Sequence, residues 1–255
     1  MLLPLQAGII YGPVLSRRLG RSMGINLLPT DRKVCSFDCV YCHYGRTVVK
    51  TLAPEDRYFP GVEQVLKAIE EALRVYPEVD YITFSGNGEP TLHPDFPAIA
   101  SAVSWLRDEY RPGVKLAILS NSTTVHFPRV REVLRIFDAP IMKLDAGDPA
   151  TLARINCPAA AVKLEYIVEG LKGMPGLIVQ SVLVDGQVTN ARGESFEAWL
   201  AALAEIRPAQ VQIYSTERPV PEAGVERVLP FVLRRIADEA TQRTGLQVKA
   251  YWARV

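Results

Sequence analysis

Three of the chain's four cysteines, Cys35, Cys39 and Cys42, fall inside "KVCSFDCVYCHYGR" with the spacing C-x3-C-x2-C, and no fourth stands at a matching interval. Thiolates are metal ligands and redox groups, so three chemistries compete for this pattern. Structural zinc takes four nitrogen or sulfur ligands, usually from C-x2-4-C pairs; His43 adjoins Cys42 too closely to chelate with it, and Cys157 is remote in the chain. A redox disulfide through Cys39-Val-Tyr-Cys42 leaves Cys35 unexplained. An iron–sulfur cubane on three thiolates leaves one iron without a protein ligand, the open position a metal needs if a substrate or cofactor is to bind it. Only the third reading uses all three cysteines and accounts for the missing fourth.

Other reactive residues carry weaker signals. Arg17, Arg18, Arg21, Lys33 and Arg46 flank the cysteines, where they would meet an anionic substrate or nucleic-acid phosphates, although solvated arginines are the commoner case. Cys157 in "RINCP" reads as a small buried hydrophobe, and one cysteine cannot supply a second cubane. His93 precedes Pro94 and His126 precedes Phe127-Pro128, each as a loop turning into a helix, and neither is assigned to catalysis. Glu217 and Arg218 in "STERP" suit either a ligand or an ion pair at a strand end.

These residues need elements to hold them. Val62, Val65, Leu66, Ile69, Ala72 and Leu73 recur at helical spacing, and "VDYITF" (79–84) follows as a short apolar run of β-branched and aromatic residues. The alternation continues through helical stripes ahead of "VKLAIL" (114–119), "APIMKL" (139–144), "GLIVQSVLV" (176–184) and "AQVQIY" (209–214). A last helix over about 225–241 leads into "LQVKAYW" (246–252), and "SMGINLL" (22–28) supplies a first strand. Nearly continuous apolar strands joined by helices predict a parallel α/β sheet with right-handed crossovers, as a barrel or a doubly wound sheet. Behind the strands come "SGNGEPT", "SNST", "DAGD", "DGQVTN" and "STERP". Polar and small residues thus gather at five C-terminal strand ends, the face on which such sheets build their sites.

Composition narrows the partners. Twenty-nine Lys plus Arg against 28 Asp plus Glu leave a net charge of +1, which gives no overall footprint for nucleic acid or an anionic membrane. No apolar run approaches the roughly 20 residues that span a bilayer. The N-terminus lacks a basic segment and a small-x-small cleavage site and reads as mature protein. Four unevenly spaced cysteines do not form a disulfide framework, so a cytoplasmic location is expected. With no linker-like break, residues 1–255 read as one domain, with a cluster loop at 33–46 and a helix and strand at 225–255 packing on the barrel.

The cysteine motif, with Tyr41 just before its last member, resembles the signature of the radical S-adenosylmethionine superfamily. The resemblance implies a partial (β/α)6 TIM-like barrel and a [4Fe-4S] cluster on Cys35, Cys39 and Cys42, with S-adenosylmethionine on the open iron. Reductive cleavage would give methionine and a 5′-deoxyadenosyl radical that takes hydrogen from a substrate. "FSGNGEP" (84–90) is similar to the family's glycine-rich strand end, which implies contacts to the methionine moiety from Gly86, Gly88 and Glu89, with Asn87 where a glycine is common. "LSNST" and "KLDAGD" resemble the next two strand ends and implicate Ser120, Asn121 and Asp145. The phrases "GPVLSRRLGRSMGINLLP", "CHYGRT", "LDAGDPATLARIN" and "STERPVPEAGV" resemble a subgroup of iron–sulfur oxidoreductases related to the wyosine tRNA-modifying enzymes. An external electron donor, a flavodoxin or ferredoxin, is then expected. Two rivals remain: a tRNA-modifying enzyme, which requires salt-dependent RNA binding, and a non-enzymatic metal-binding or redox-sensing protein.

Overall fold

The computed structural model describes residues 2–55, 59–76 and 78–253. The ends of the expected domain, 1 and 254–255, lie outside the described residues. The chain opens with a hairpin, β1 (Ile10–Ser16) and β2 (Gly20–Asn26), and then passes through two short strands, β3 (Val34–Cys35) and β4 (Val49–Lys50). Helix α1 (Val62–Val75) buries Val65, Ile69, Ala72 and Leu73, the stripe that an i, i+4 repeat places on one face. There follow β5 (Tyr81–Ser85), α2 (Phe96–Tyr110), β6 (Lys115–Ser120), α3 (Pro128–Val133) and β7 (Ala139–Lys143). The second half holds α4 (Pro149–Ile155), α5 (Leu164–Leu171), β8 (Ile178–Val182), β9 (Val184–Gly186), α6 (Gly193–Ile206) and β10 (Gln210–Tyr214). The last elements are β11 (Val225–Arg227), α7 (Pro230–Thr244) and β12 (Val248–Tyr251).

Eight strands form one sheet in the order β1-β2-β5-β6-β7-β8-β10-β12, parallel throughout except for the β1–β2 pair. Successive side chains face opposite sides. Ile82 and Phe84, Leu116 and Ile118, and Val211 and Ile213 point outward into the main core beneath the helices. The inward positions divide along the axis. Leu19, Ala117, Ala139 and Ile141 pack with Tyr81, Leu119 and Ile178 as a small apolar plug. Thr83, Lys143, Gln180 and Gln212 form a polar layer beyond it, and Ser22 meets Thr83 Oγ1 at 2.6 Å. The sheet is the partial barrel the sequence leads one to expect. No described helix is long and apolar enough to cross a membrane.

Three boundaries differ from the sequence reading. The first strand of the sheet is an antiparallel one, β1, whose pairing with β2 slips between Tyr11 and Val14 around Gly12-Pro13; this interruption hid its alternation. The run 176–184 is two strands. Asn190 accepts from Val184 N at 2.9 Å and donates to the Val182 carbonyl at 2.9 Å, which turns the chain out of the sheet at Leu183. Val225–Arg227, expected to be helical, is a strand antiparallel to β9, and the helix starts only at Pro230, a residue suited to the first helical turn.

Candidate functional site

The three cysteines sit on a loop stitched to several strand ends. Val34 pairs with Gly88 behind β5 and with Val49 on β4. Farther along, Asp38 N donates to the Asn156 carbonyl at 2.9 Å, Val40 N to the Ile155 carbonyl at 3.0 Å, and Ala159 N to the Ser36 carbonyl at 2.8 Å. Backbone bonds from β5 on one side and from the end of α4 on the other hold the loop over the C-terminal mouth of the barrel. All three thiols line one cavity of about 140 Å³, shared with Lys33, Tyr41, Gly86, Gly88, Glu89, Ser120, Asn121 and Lys143.

Cys35 and Cys39 are buried, Cys42 is half-buried, and none is in a disulfide. Two amide groups are aimed at sulfur: Asn121 Nδ2 lies 3.4 Å from Cys35 Sγ, and Asn156 Nδ2 lies 3.4 Å from Cys39 Sγ. Burial pushes the Cys35 thiol up to about 11 against the pull of Lys33, and burial with the Asp145 charge pushes Cys39 up to about 12. For Lys33, burial acts to lower the pKa, but the thiolates of Cys42 and Cys35 outweigh it and the pKa rises. Its ammonium donates to the Gly45 carbonyl at 2.8 Å. Soft sulfur donors, N–H groups directed at them and buried cations beside them suit an anionic iron–sulfur cluster. Among the described residues no three thiol, imidazole or carboxylate groups converge on a point that would hold a single ion. Thiols that line one cavity fit a cluster in which three irons each take one protein thiolate.

The thiols also couple metal-free stability to pH. A pKa raised on folding stabilises the fold below the unfolded value of 9.0, and that contribution is lost as pH climbs toward about 11 and about 12. Reduced, metal-free protein is therefore expected to melt at falling temperature from about pH 8 to about pH 10.5, less steeply in the Cys35→Ala/Cys39→Ala variant. Equal slopes would show that the thiols are solvated.

Two buried carboxylates lock the strand ends together. Glu89 Oε1 accepts from Thr91 N at 3.1 Å, Thr91 Oγ1 at 2.6 Å and Ser120 Oγ at 2.9 Å, while Oε2 accepts from Asn121 N at 2.5 Å. Burial raises the Glu89 pKa despite these donors. Asp145 accepts from the Tyr41 hydroxyl, from Asn156 Nδ2 at 2.7 Å and from Val182 N at 2.8 Å, with Lys143 Nζ at 3.8 Å. Asp145 thus stands behind Tyr41 rather than on the cavity wall. Asn87 also points away: its amide donates to the Gln6 and Pro29 carbonyls at 2.9 Å each and accepts from Gln6 N at 2.7 Å. Gly86 and Gly88 line the cavity with φ of 127° and 148°, a conformation that favours glycine.

The flanking charges are mostly paired. Arg17 meets Glu217 at 2.8 Å, Arg21 lies 3.5 Å from Glu78, and Arg46 bonds Glu222. Cys157 lies off the cavity, its carbonyl accepting from Lys50 Nζ at 3.2 Å. Asn156, the residue beside it, was not singled out from sequence, because a lone asparagine has no spacing to mark it. Lys143 and Gln180 were likewise missed, although their places in "MKLD" and "VQSV" break apolar strands and could have marked them.

Comparison with known proteins agrees with this geometry. Residues 33–179 match the model of the Radical SAM superfamily. The chain is 34% identical over 224 residues to UPF0026 protein MJ1312 of Methanocaldococcus jannaschii, covering 86% of this chain and 66% of that protein, so it spans just under two thirds of that relative's length. Among solved structures, a radical SAM methyltransferase from Sphaerobacter thermophilus superposes with a TM-score of 0.65 at 16% identity, over 92% of this chain and 67% of the other. TYW1 with a lysine-pyruvate adduct bound gives 0.61 at 14% identity, over 88% of this chain and 74% of the other. The barrel, the cysteine loop across its mouth and the family match together place the chain in the Radical SAM superfamily, whose enzymes work with a [4Fe-4S] cluster and S-adenosylmethionine.

Proposed function

We propose that Cys35, Cys39 and Cys42 ligate the cluster and that the strand ends bearing Gly86, Gly88, Glu89, Ser120 and Asn121 seat S-adenosylmethionine against it. The observation that carries this reading is a single cavity walled by all three thiols and by those strand ends. When bound, the pair supplies one-electron cleavage of the sulfonium and abstraction of a substrate hydrogen. This chain's residues supply position and shielding. Asn121 and Asn156 donate to cluster-side sulfur, and Lys33 offsets negative charge. Phe37 and Tyr41, both buried, keep water from two of the thiols.

In this reading Glu89 acts as a brace, because both of its oxygens are already engaged by Thr91, Ser120 and Asn121. Gly86 and Gly88 bring bare backbone to the cofactor. Asn87 and Asp145 position other groups, Asn87 by fixing the glycine turn against residues 6 and 29 and Asp145 by orienting Tyr41 and Asn156. The electron comes from an external donor, a flavodoxin or ferredoxin. Arg17, Arg21 and Arg46 are each already engaged by a carboxylate, which counts against an RNA substrate at these positions, and RNA phosphates would have to displace these exposed pairs.

Anaerobic reconstitution with iron and sulfide, followed by electron paramagnetic resonance of the reduced protein, tests the proposal. A cubane signal that shifts on adding S-adenosylmethionine, with 5′-deoxyadenosine released, is expected. Stoichiometric zinc, or a cluster indifferent to the cofactor, would return the protein to the structural or sensing class.

A further inference from the structure

A second cavity of about 500 Å³ lies beneath the β1–β2 hairpin, walled by Tyr11, Arg18, Ser22, Thr83 and Ser85. Tyr44, Gly86, Gly88 and Leu119 line both this space and the thiol cavity, so the two meet at the glycine-rich strand end. Its size is that of a small-molecule site, and the hairpin covers it from one side.

Two nitrogen donors on the walls of these joined spaces have no partner, Arg18 in the second cavity and Gln180 in the thiol cavity. Arg18 Nη1 and Gln180 Nε2 are buried and make no hydrogen bond; Gln180 is only 6% exposed and lines the thiol cavity. Both side chains touch Tyr214: the Arg18 guanidinium lies 4.8 Å from the ring centroid, and Gln180 Oε1 accepts from the Tyr214 hydroxyl at 3.1 Å. Folded proteins rarely leave a buried donor unmet, so the two orphan donors beside Tyr214 leave a place for an acceptor, and Gln212 Oε1, in register with Gln180, is an unmet acceptor suited to a donor from the same ligand. The charge balance gives its sign. Neighbouring Arg17 is neutralised by Glu217 and Lys143 by Asp145, while Arg18 makes no ion pair among the described residues. One uncompensated positive charge suits a monoanion, and a planar pair of oxygens suits a guanidinium nitrogen.

We propose that the second cavity is the substrate pocket and takes a small monocarboxylate, its carboxylate on Arg18 and a further acceptor reaching across the junction to Gln180 Nε2 in the thiol cavity. Its carbon skeleton then runs past Leu119 toward Gly86 and Gly88, where the two cavities join. The inference rests on the cofactor assignment proposed above, and it selects a small acid over a nucleic acid.

The test uses reconstituted holoenzyme with S-adenosylmethionine present. Equilibrium binding is measured for hexanoate and benzoate, with hexanamide, inorganic phosphate and single-stranded RNA as comparisons. Saturable binding of the two carboxylates is expected, weakened at least about tenfold in Arg18→Gln and also weakened in Gln180→Leu, with hexanamide at least about tenfold poorer. Circular dichroism confirms that both variants are folded. Carboxylate binding unaffected by either substitution, absence of carboxylate binding, or preference for phosphate or RNA would overturn the proposal. So would Arg18→Gln abolishing the paramagnetic response to S-adenosylmethionine, since Arg18 would then be holding the cofactor. Wild-type protein that binds carboxylates through Arg18 but shows no response to the cofactor supports the pocket and refutes the cofactor assignment.

Discussion

Removal of any one of the three loop thiols is expected to abolish the cluster, whereas removal of the fourth cysteine is expected to leave it intact. Cys35, Cys39 and Cys42 face one cavity, and Cys157 does not. A cubane that loses one of three protein thiolates exposes a second iron and is shed, so Cys39→Ala should reconstitute with little iron. Formation of 5′-deoxyadenosine should fall by more than about 10³-fold, or about 4 kcal/mol of barrier. Cys157 already sits at a φ of 44°, and alanine keeps its Cβ, so Cys157→Ala adds no new backbone strain. Iron content equal to wild type is expected there. Asn156→Ala lies between the two: it keeps every thiol but removes the N–H aimed at Cys39 and one support of Asp145. Loss of supporting groups of this kind costs about 10–100-fold in metal affinity. Iron per chain, counted for wild type and these three variants after identical anaerobic reconstitution, gives the ordering. Full iron loading in Cys39→Ala would show that Cys39 is not a ligand.

The contrast between Cys39 and Asn156 also shows what the sequence could disclose. The thiols were legible because ligand chemistry imposes a spacing on a continuous loop. The strand ends were legible because buried parallel strands are apolar throughout and their polar exits stand out, as in "YITFSGNGEP". Asn156 reaches Cys39 across 117 positions, a relation created by the crossover through α4 and absent from any local pattern. The side chains of Asn87 and Asp145 belong to strand ends that were recognised, but their direction depends on neighbours distant in the chain, residues 6 and 29 for one and 41, 156 and 182 for the other. The polar lumen was partly visible. Thr83, Lys143, Gln180 and Gln212 alternate with the core residues of their strands, a period-two signal masked by the apolar inward residues of the plug. Strand β1 was hidden by Gly12-Pro13 at its centre, and with it went the wall of the second cavity.

Gly88→Ala is expected to unseat the cysteine loop without touching a ligand. Gly88 has a φ of 148°, and a Cβ built there falls on the Val34 backbone, well inside van der Waals contact with its carbonyl oxygen. No flexible side chain can yield, because the obstacle is main chain. That same carbonyl accepts from Glu89 N at 3.2 Å, and Val34 N donates to the Asn87 carbonyl at 3.3 Å. Relieving the clash therefore breaks the pairing that carries the loop, and Cys35 follows Val34 directly. Strain in a sparsely populated backbone region costs about 1–3 kcal/mol, and the lost pairing adds about 1 kcal/mol for each bond. A total of about 3 kcal/mol or more lowers the melting temperature by roughly 6–12 °C in a chain of this size. Iron loading should fall by about tenfold or more as Cys35 moves from its place beside Asn121. Gly113→Ala provides the control. Gly113 lies in a turn with nothing within 4 Å of an added Cβ and no left-handed φ, so its melting temperature and iron content should match wild type. A Gly88→Ala protein with wild-type stability and full iron would mean that β5 does not hold the cysteine loop, and would remove the mechanical link between the glycine-rich strand end and the cluster.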